Sequence, residues 1–388
     1  VKKEKRAPTI TKFQLSMLNL QQDMAPLSWE DYWGHDNEVI SLLHAIDNGV
    51  ETTPRSLTIY GYTGTGKTAL VNLIIRSLNC SNPQPYTRAG VNFRQVNPCG
   101  ECPMCKEVLD FRLNSSEYTN ILHLQAGAYG SEEDSTHKLV KRGLEFGSKP
   151  AADLGFGREY FRFVIFDEWQ IYDSKDRQKV LLKAELESHI KTIYFMITMQ
   201  PEKLAEKDLS SVEDRGFPVY LRQADWTVVK DYLLSVSPKS GLPLLTEEVA
   251  EQIAKRAKGS FRRALSKYQQ LALKDPYCDY IHIDTAKYFL QFTDPDDRRK
   301  LWDCIFKGNY YQLEEVIDRL MSVYERCNLE DFVNDLVSDV ANAMRQQKGV
   351  HDHQLFAIRR LYEAADSRHS IEVKDYLLQL GGLDLGCC

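Results

Sequence analysis

Eight residues carry the strongest chemical signal in this chain: Gly61-Tyr62-Thr63-Gly64-Thr65-Gly66-Lys67-Thr68. The pattern G-x-x-x-x-G-K-T sets glycine where backbone must wrap a phosphate, with amide groups and a helix N-terminus turned toward the anion. Lys67 is then placed to reach the outer phosphates of a nucleoside triphosphate, and Thr68 to offer a hydroxyl to Mg²⁺. A second signal is the carboxylate pair Asp167-Glu168, which closes the apolar run 161–166. At the carboxyl end of a parallel strand, both side chains emerge beside such a loop. The arrangement matches a Walker B element, in which Asp167 holds the Mg²⁺ shell and Glu168 orients or deprotonates the attacking water. A solvated acidic pair capping the next helix is the competing reading. Cys99, Cys102 and Cys105 make two overlapping C-x-x-C steps, and Cys80 can supply a fourth thiolate. With all four positions filled by protein, a structural Zn²⁺ is favoured over a catalytic one. Three spaced cysteines alone also fit an iron-sulfur or redox site.

These residues need elements to hold them. The run 56–60 leads into the glycine loop and 69–78 follows as a helix, so the loop sits between a strand and a helix. Residues 161–166 and 192–198 are two further buried strands separated by helical stretches, which predicts an α/β fold with a parallel sheet. After Arg222 the pattern turns wholly helical, through 226–235, 246–258 and 261–273, with Ser260 placed as a helix cap. Beyond a Pro/Asp-rich link at 294–297, apolar residues recur at helical spacing over 313–321 and 329–340, as in a helical bundle. The stretch 147–157 is rich in breakers and reads as an inserted surface loop. The expected domains are 1–222 for nucleotide binding, with a metal module at 80–105, then a small helical domain at 223–278 and a second at 279–388.

Composition sets the outer bounds. The 388 residues exceed one comfortable core at about 150 residues per domain. A net charge of -6 excludes a protein that coats DNA by overall field, so any nucleic-acid contact must use a local basic face. Nine cysteines in a chain this long point to a reducing compartment rather than a disulfide framework. Cys387 and Cys388 lack the order of a prenylation signal and are read as free thiols, and Cys278, Cys304 and Cys327 as core residues. No stretch reaches the roughly 20 apolar residues that span a bilayer, so a cytoplasmic protein with no membrane partner is expected.

With its motifs in this order, the chain resembles the ATPase subunit of a DNA polymerase sliding-clamp loader, the bacterial gamma/tau type of AAA+ protein. In that family a four-cysteine zinc module follows the phosphate-loop helix, as Cys80, Cys99, Cys102 and Cys105 do here, though with a longer gap from Cys80 to Cys99. The resemblance implies an AAA+ P-loop domain with an inserted zinc module, a helical lid and a C-terminal helical collar. It implies ATP, Mg²⁺ and structural Zn²⁺ as cofactors. It implies other clamp-loader subunits in a pentameric assembly, a sliding clamp and primer-template DNA as partners, in the cytoplasm, at the nucleoid, or in a host cell if the source is viral. Tyr32 and Trp33 fall where the family's entry segment borders adenine, although aromatic core packing explains them equally. Thr198 aligns with the sensor 1 strand and Arg262, in Gly259-Ser-Phe-Arg-Arg-Ala264, with sensor 2; a strand threonine and an ordinary helix arginine are the alternatives. The family's arginine finger is represented only by Arg215 in Asp214-Arg215-Gly216, a departure from its S-R-C motif. Ser174 and Lys175 are the implied DNA contacts; Lys138, Lys141 and Arg142 read better as solvated helix charges. A nucleotide-gated scaffold that oligomerises without driving clamp loading is the rival reading.

Overall fold

The computed structural model describes residues 20–49, 52–106, 108, 119–126, 133–152, 160–186, 191–199, 216–274, 278–289 and 300. The chain divides into two compact units, Val1–Tyr280 and Ile281–Cys388. Of the second, the described residues hold one helix, Ile283–Phe289; the amphipathic runs expected at 313–340 lie outside them, as do Cys304, Cys327, Arg215, Cys387 and Cys388.

At the centre of the first unit is a five-stranded sheet: β1 (Ser56–Gly61), β4 (Ile121–Gln125), β5 (Arg162–Asp167), β6 (Thr192–Thr198) and β7 (Phe217–Leu221). Its order is β4-β5-β6-β1-β7 and every pairing is parallel. The three inner strands are the three apolar runs of the sequence, buried along nearly their whole length, as a sheet covered on both faces requires. On one face Leu57, Ile59, Phe163, Ile165 and Phe195 pack with α1 (Asp36–Asp47) and α2 (Lys67–Asn79). On the other, Val164, Phe166, Tyr194 and Met196 pack with α3 (Glu133–Gly147) and α4 (Ser174–Leu186).

The sequence reading did not find the outer strands. The edge strand β7 contains Pro218, and β4 alternates apolar residues with His123 and Gln125 over five positions. Pro is tolerated at an edge for want of an amide to donate, and it masks a strand signal. Also unforeseen is a hairpin, β2 (Gln84–Arg88) and β3 (Val91–Asn97), that fills the gap between Cys80 and Cys99. Its turn is Ala89-Gly90, both at positive φ (48° and 81°), as a tight hairpin turn demands.

Among the described residues of the first unit, three α-helices follow the sheet. Asp225 caps α5 (Trp226–Val236) by accepting the Thr227 amide, and Thr246 caps α6 (Glu247–Ala257) by accepting that of Val249. Lys258 and Gly259 end α6 at φ 48° and 74°. A Cβ on Gly259 would lie 2.6 Å from the Ala224 carbonyl, so the break demands glycine twice over. Ser260 Oγ then accepts the Arg263 amide at 3.3 Å and starts α7 (Phe261–Lys274). No helix among the described residues is long and apolar enough to cross a membrane.

Candidate nucleotide and metal sites

The carboxyl ends of β1, β6 and β5 meet because β6 lies between the other two. Thr198 pairs with Tyr60 in register, and Asp167 ends the strand that pairs with the other side of β6. Three distant segments of sequence are thereby brought to one edge, around a cavity of about 520 Å³. Its wall includes Thr68, Asp167 and Glu168, together with Tyr32, Trp33 and Arg262.

The glycine loop has the backbone its sequence predicts. Gly64 and Gly66 stand at φ 83° and 98°, the left-handed region that a side chain resists. Thr65 Oγ1 closes the loop on the Tyr62 carbonyl at 2.9 Å. Lys67 is buried and its Nζ donates to the Gly61 and Tyr62 carbonyls at 2.7 and 2.8 Å. Burial brings its pKa down to about 8, with Asp167 pulling it up and Arg262 pushing it further down.

Burial alone would raise the Asp167 carboxyl, but His123, the Glu168 amide and Lys67 together hold it below the ordinary carboxylate range. His123 Nε2 lies 3.5 Å from Asp167 Oδ2, and the Glu168 amide donates to Oδ1 at 2.9 Å. Asp167 is thus kept ionised, and with the Thr68 hydroxyl it offers the hard oxygen donors that suit Mg²⁺. Glu168 occupies a left-handed conformation, φ 55°, which turns the chain sharply as it leaves β5. Strained backbone of this kind clusters at functional sites. Thr198 Oγ1 donates to Gln170 Oε1 at 2.9 Å.

The helical segment closes over the loop. The Phe261 amide donates to the Gly64 carbonyl at 3.0 Å, and a Cβ on Gly64 would come within 3.0 Å of Arg262 Cβ. Arg262 therefore sits at the loop. Tyr32 is both wall and core: it lies in the main apolar cluster, edge-on to Trp29, and its hydroxyl end would be 3.2 Å from a Cβ on Gly66. His123, Gln170 and His35 went unnoticed in the sequence, since a lone histidine or glutamine has no spacing to betray it. Ser174 and Lys175 open α4, partly and fully exposed, and Lys138, Lys141 and Arg142 are exposed on α3. Cys278, expected in the core, is only half-buried.

The four cysteines converge. Their Sγ atoms all lie within 4.8 Å of one another, against the edge of about 3.8 Å implied by tetrahedral Zn–S bonds of about 2.3 Å. The amide of Cys99 points at Cys80 Sγ and that of Cys102 at Cys99 Sγ, at 3.3 and 3.4 Å. Such bonds stabilise thiolate. The hydrogen bond that Cys80 shares with Cys105 drives the Cys80 thiol down and the Cys105 thiol up. The donor set is compatible with zinc. Arg76 ties this module to α2 by donating to the Cys105 carbonyl at 3.1 Å.

No family model matches the chain. Over 255 residues it is 24% identical to the DNA polymerase III subunit tau of Escherichia coli (strain K12), covering 64% of this chain and 33% of that protein. Over 180 residues it is 23% identical to the replication factor C small subunit of Archaeoglobus fulgidus, covering 46% of this chain and 53% of the relative. The chain thus spans between a third and about half of these relatives' length. Among solved structures it is similar to the Thermotoga maritima RuvB Holliday junction branch migration motor (15% identity, TM-score 0.45, 73% of this chain and 80% of that one). It is also similar to the Aeropyrum pernix ORC1 protein in complex with DNA (12% identity, TM-score 0.42, 90% and 93%). The two sequence relatives are clamp-loader AAA+ ATPases, the group that the motifs of this chain resemble.

Proposed function

We propose that this chain is an ATPase subunit of a DNA sliding-clamp loader, which uses ATP binding and hydrolysis to open a ring-shaped clamp and load it on primer-template DNA. The observation that carries the reading is the meeting of the glycine loop, Asp167-Glu168 and Thr198 at one edge of the sheet, with a four-cysteine cluster at the end of the loop helix. Both sequence relatives favour the same assignment.

In this mechanism Gly61 to Thr68 wrap the phosphates, and Lys67 exchanges its bonds to the Gly61 and Tyr62 carbonyls for outer phosphate oxygens. Glu168 accepts a proton from the attacking water as it adds to the γ-phosphorus, and the bond to the leaving ADP oxygen breaks. Gln170 fixes Thr198 beside the γ-phosphate. Arg262 reports the phosphate state to the helical lid through the loop it touches. Tyr32 and Trp33 border the base. Thr68 and Asp167 are the residues that would hold Mg²⁺, whose charge when bound would offset that of the phosphates. Zn²⁺ on Cys80, Cys99, Cys102 and Cys105 would be structural. Arg215 acts as an arginine finger on a neighbouring subunit's ATP, worth about 10³ to 10⁵ in rate. Ser174 and Lys175 touch the DNA backbone, a contact blind to sequence and sensitive to salt. The collar at 279–388 holds the subunits together, in a pentamer.

The test is ATP turnover in a reconstituted assembly, with and without clamp and primed DNA. Stimulation by the two together is expected, and its absence contradicts the loader role. The departure at Asp214-Arg215-Gly216 favours a second reading, a nucleotide-gated scaffold; clamp-independent assembly on ATP, with no stimulation, would select it.

A further inference from the structure

The first strand of the hairpin between Cys80 and Cys99 ends in an arginine that the chemistry described so far does not use. Arg88 is the last residue of β2, and its side chain is only 8% exposed. Burying a guanidinium is costly unless its donors are satisfied. Its Nη1 donates to the Tyr32 carbonyl at 2.9 Å, Nη2 to the Gly34 carbonyl at 2.6 Å, and Nε to Asp36 Oδ1 at 2.8 Å. Three groups on one five-residue segment are held by a single planar fork. Lysine, with one ammonium, cannot span them.

That segment is in a conformation that needs holding. Gly34 and His35 are consecutive left-handed residues, φ 75° and 59°, and His35 has a side chain to resist it. The turn sends His35 Nε2 to the Thr65 carbonyl of the glycine loop at 3.2 Å. Burial lowers the His35 pKa, so the ring is neutral and donates from its Nε2–H. The same turn lays Tyr32 against Gly66 and places Trp33 on the cavity wall. The rest of the hairpin grips what flanks the turn. Tyr86 Oη donates to the Trp29 carbonyl at 3.1 Å, Trp29 Nε1 donates to the Val96 carbonyl at 3.1 Å, and the Arg94 and Gln95 amides donate to Asp47 Oδ1.

We infer that Arg88 is a positioning residue for the base side of the nucleotide site: the hairpin clamps residues 32–36 in the strained turn that forms this wall. The inference rests on the nucleotide reading and adds to it a link from the cysteine module to nucleotide affinity. Triphosphate, held by the glycine loop, should feel the clamp only weakly through the contact of His35 with Thr65, whereas ATP, which also needs the wall, should feel it strongly.

The experiment measures binding of ATP and of inorganic tripolyphosphate to the full chain by calorimetric titration, for wild type, Arg88→Met, Arg88→Lys and Lys67→Ala. Arg88→Met should weaken ATP by about tenfold or more, the scale of lost hydrogen bonds to a charged group, and tripolyphosphate by less than about twofold. Arg88→Lys should show the same split in smaller measure, and it serves if the methionine variant does not fold. Lys67→Ala should lose both ligands. Equal losses of ATP and tripolyphosphate in the Arg88 variants, or no loss of either, overturn the inference while leaving the nucleotide reading intact. A wild-type chain that binds neither ligand overturns both.

Discussion

Gly64→Ala probes how closely the helical segment that starts at Phe261 is engaged with the glycine loop. The residue stands at φ 83°, where a Cβ costs about 1 to 2 kcal/mol. The new methyl would also overlap the Ser260 hydroxyl and sit 3.0 Å from Arg262 Cβ. Ser260 must then swing away from the Arg263 amide that it caps, a loss of about 1 kcal/mol. The helix can instead retreat, but it then gives up the Phe261 amide bond to the Gly64 carbonyl. Either route totals about 3 kcal/mol, which for a domain of this size lowers the melting temperature on the order of 10 °C. Because Arg262 rides on the displaced helix, ATP turnover should fall by a larger factor than ATP affinity. Thermal unfolding followed by fluorescence, together with turnover and titration on the same preparation, reads all three. A variant that melts within a degree of wild type and turns over ATP normally would refute the contact between this helix and the loop.

The remaining predictions concern the metal and the lysine. Wild-type protein freed of any affinity tag should carry about one Zn²⁺ per chain by elemental analysis, and Cys102→Ser should carry far less and melt lower; a fully folded, metal-free wild type would sink the site. ATP affinity should be flat below about pH 8 and fall by about tenfold per pH unit above it, because free Lys67 loses its proton near 8 whereas phosphate holds that proton in the complex. The same depressed pKa has the opposite effect on the nucleotide-free fold. Between about 8 and the ordinary lysine value the unfolded chain binds more protons, so stability should rise with pH through that window. Titrations from pH 6.5 to 9.5 check the first effect, and a pH-independent affinity would contradict it.

What was legible in the sequence was what local pattern encodes. The inner strands announced themselves as short runs dominated by apolar residues, and 192–198 matches its strand at both ends. The cap at Ser260 was visible because a short oxygen-bearing side chain at a helix start has one main use. The edge strands were not, since an edge needs only one apolar face and tolerates Pro218. The hairpin was hidden for a different reason: its apolar residues are few, Phe93 and Val96 among them, and its stability comes from bonds to Trp29 and Asp47 far away in sequence. The glycine loop, Asp167 and the cysteines could be named because their chemistry imposes spacing. His123, Gln170, His35 and Arg88 act through tertiary contacts at separations from 28 to 56 residues, which no local pattern records.

The most direct test of the account is phosphate release from Mg²⁺-ATP under single-turnover conditions, by wild type and by Glu168→Gln. Asp167 and the glycine loop are untouched by that change, so both proteins should bind ATP alike. Wild type should release phosphate, and the variant should be slower by about 10² to 10⁴, the span of a lost general base. Equal rates from the two proteins would remove Glu168 from the chemistry, and with it the claim that this edge of the sheet is a hydrolytic site.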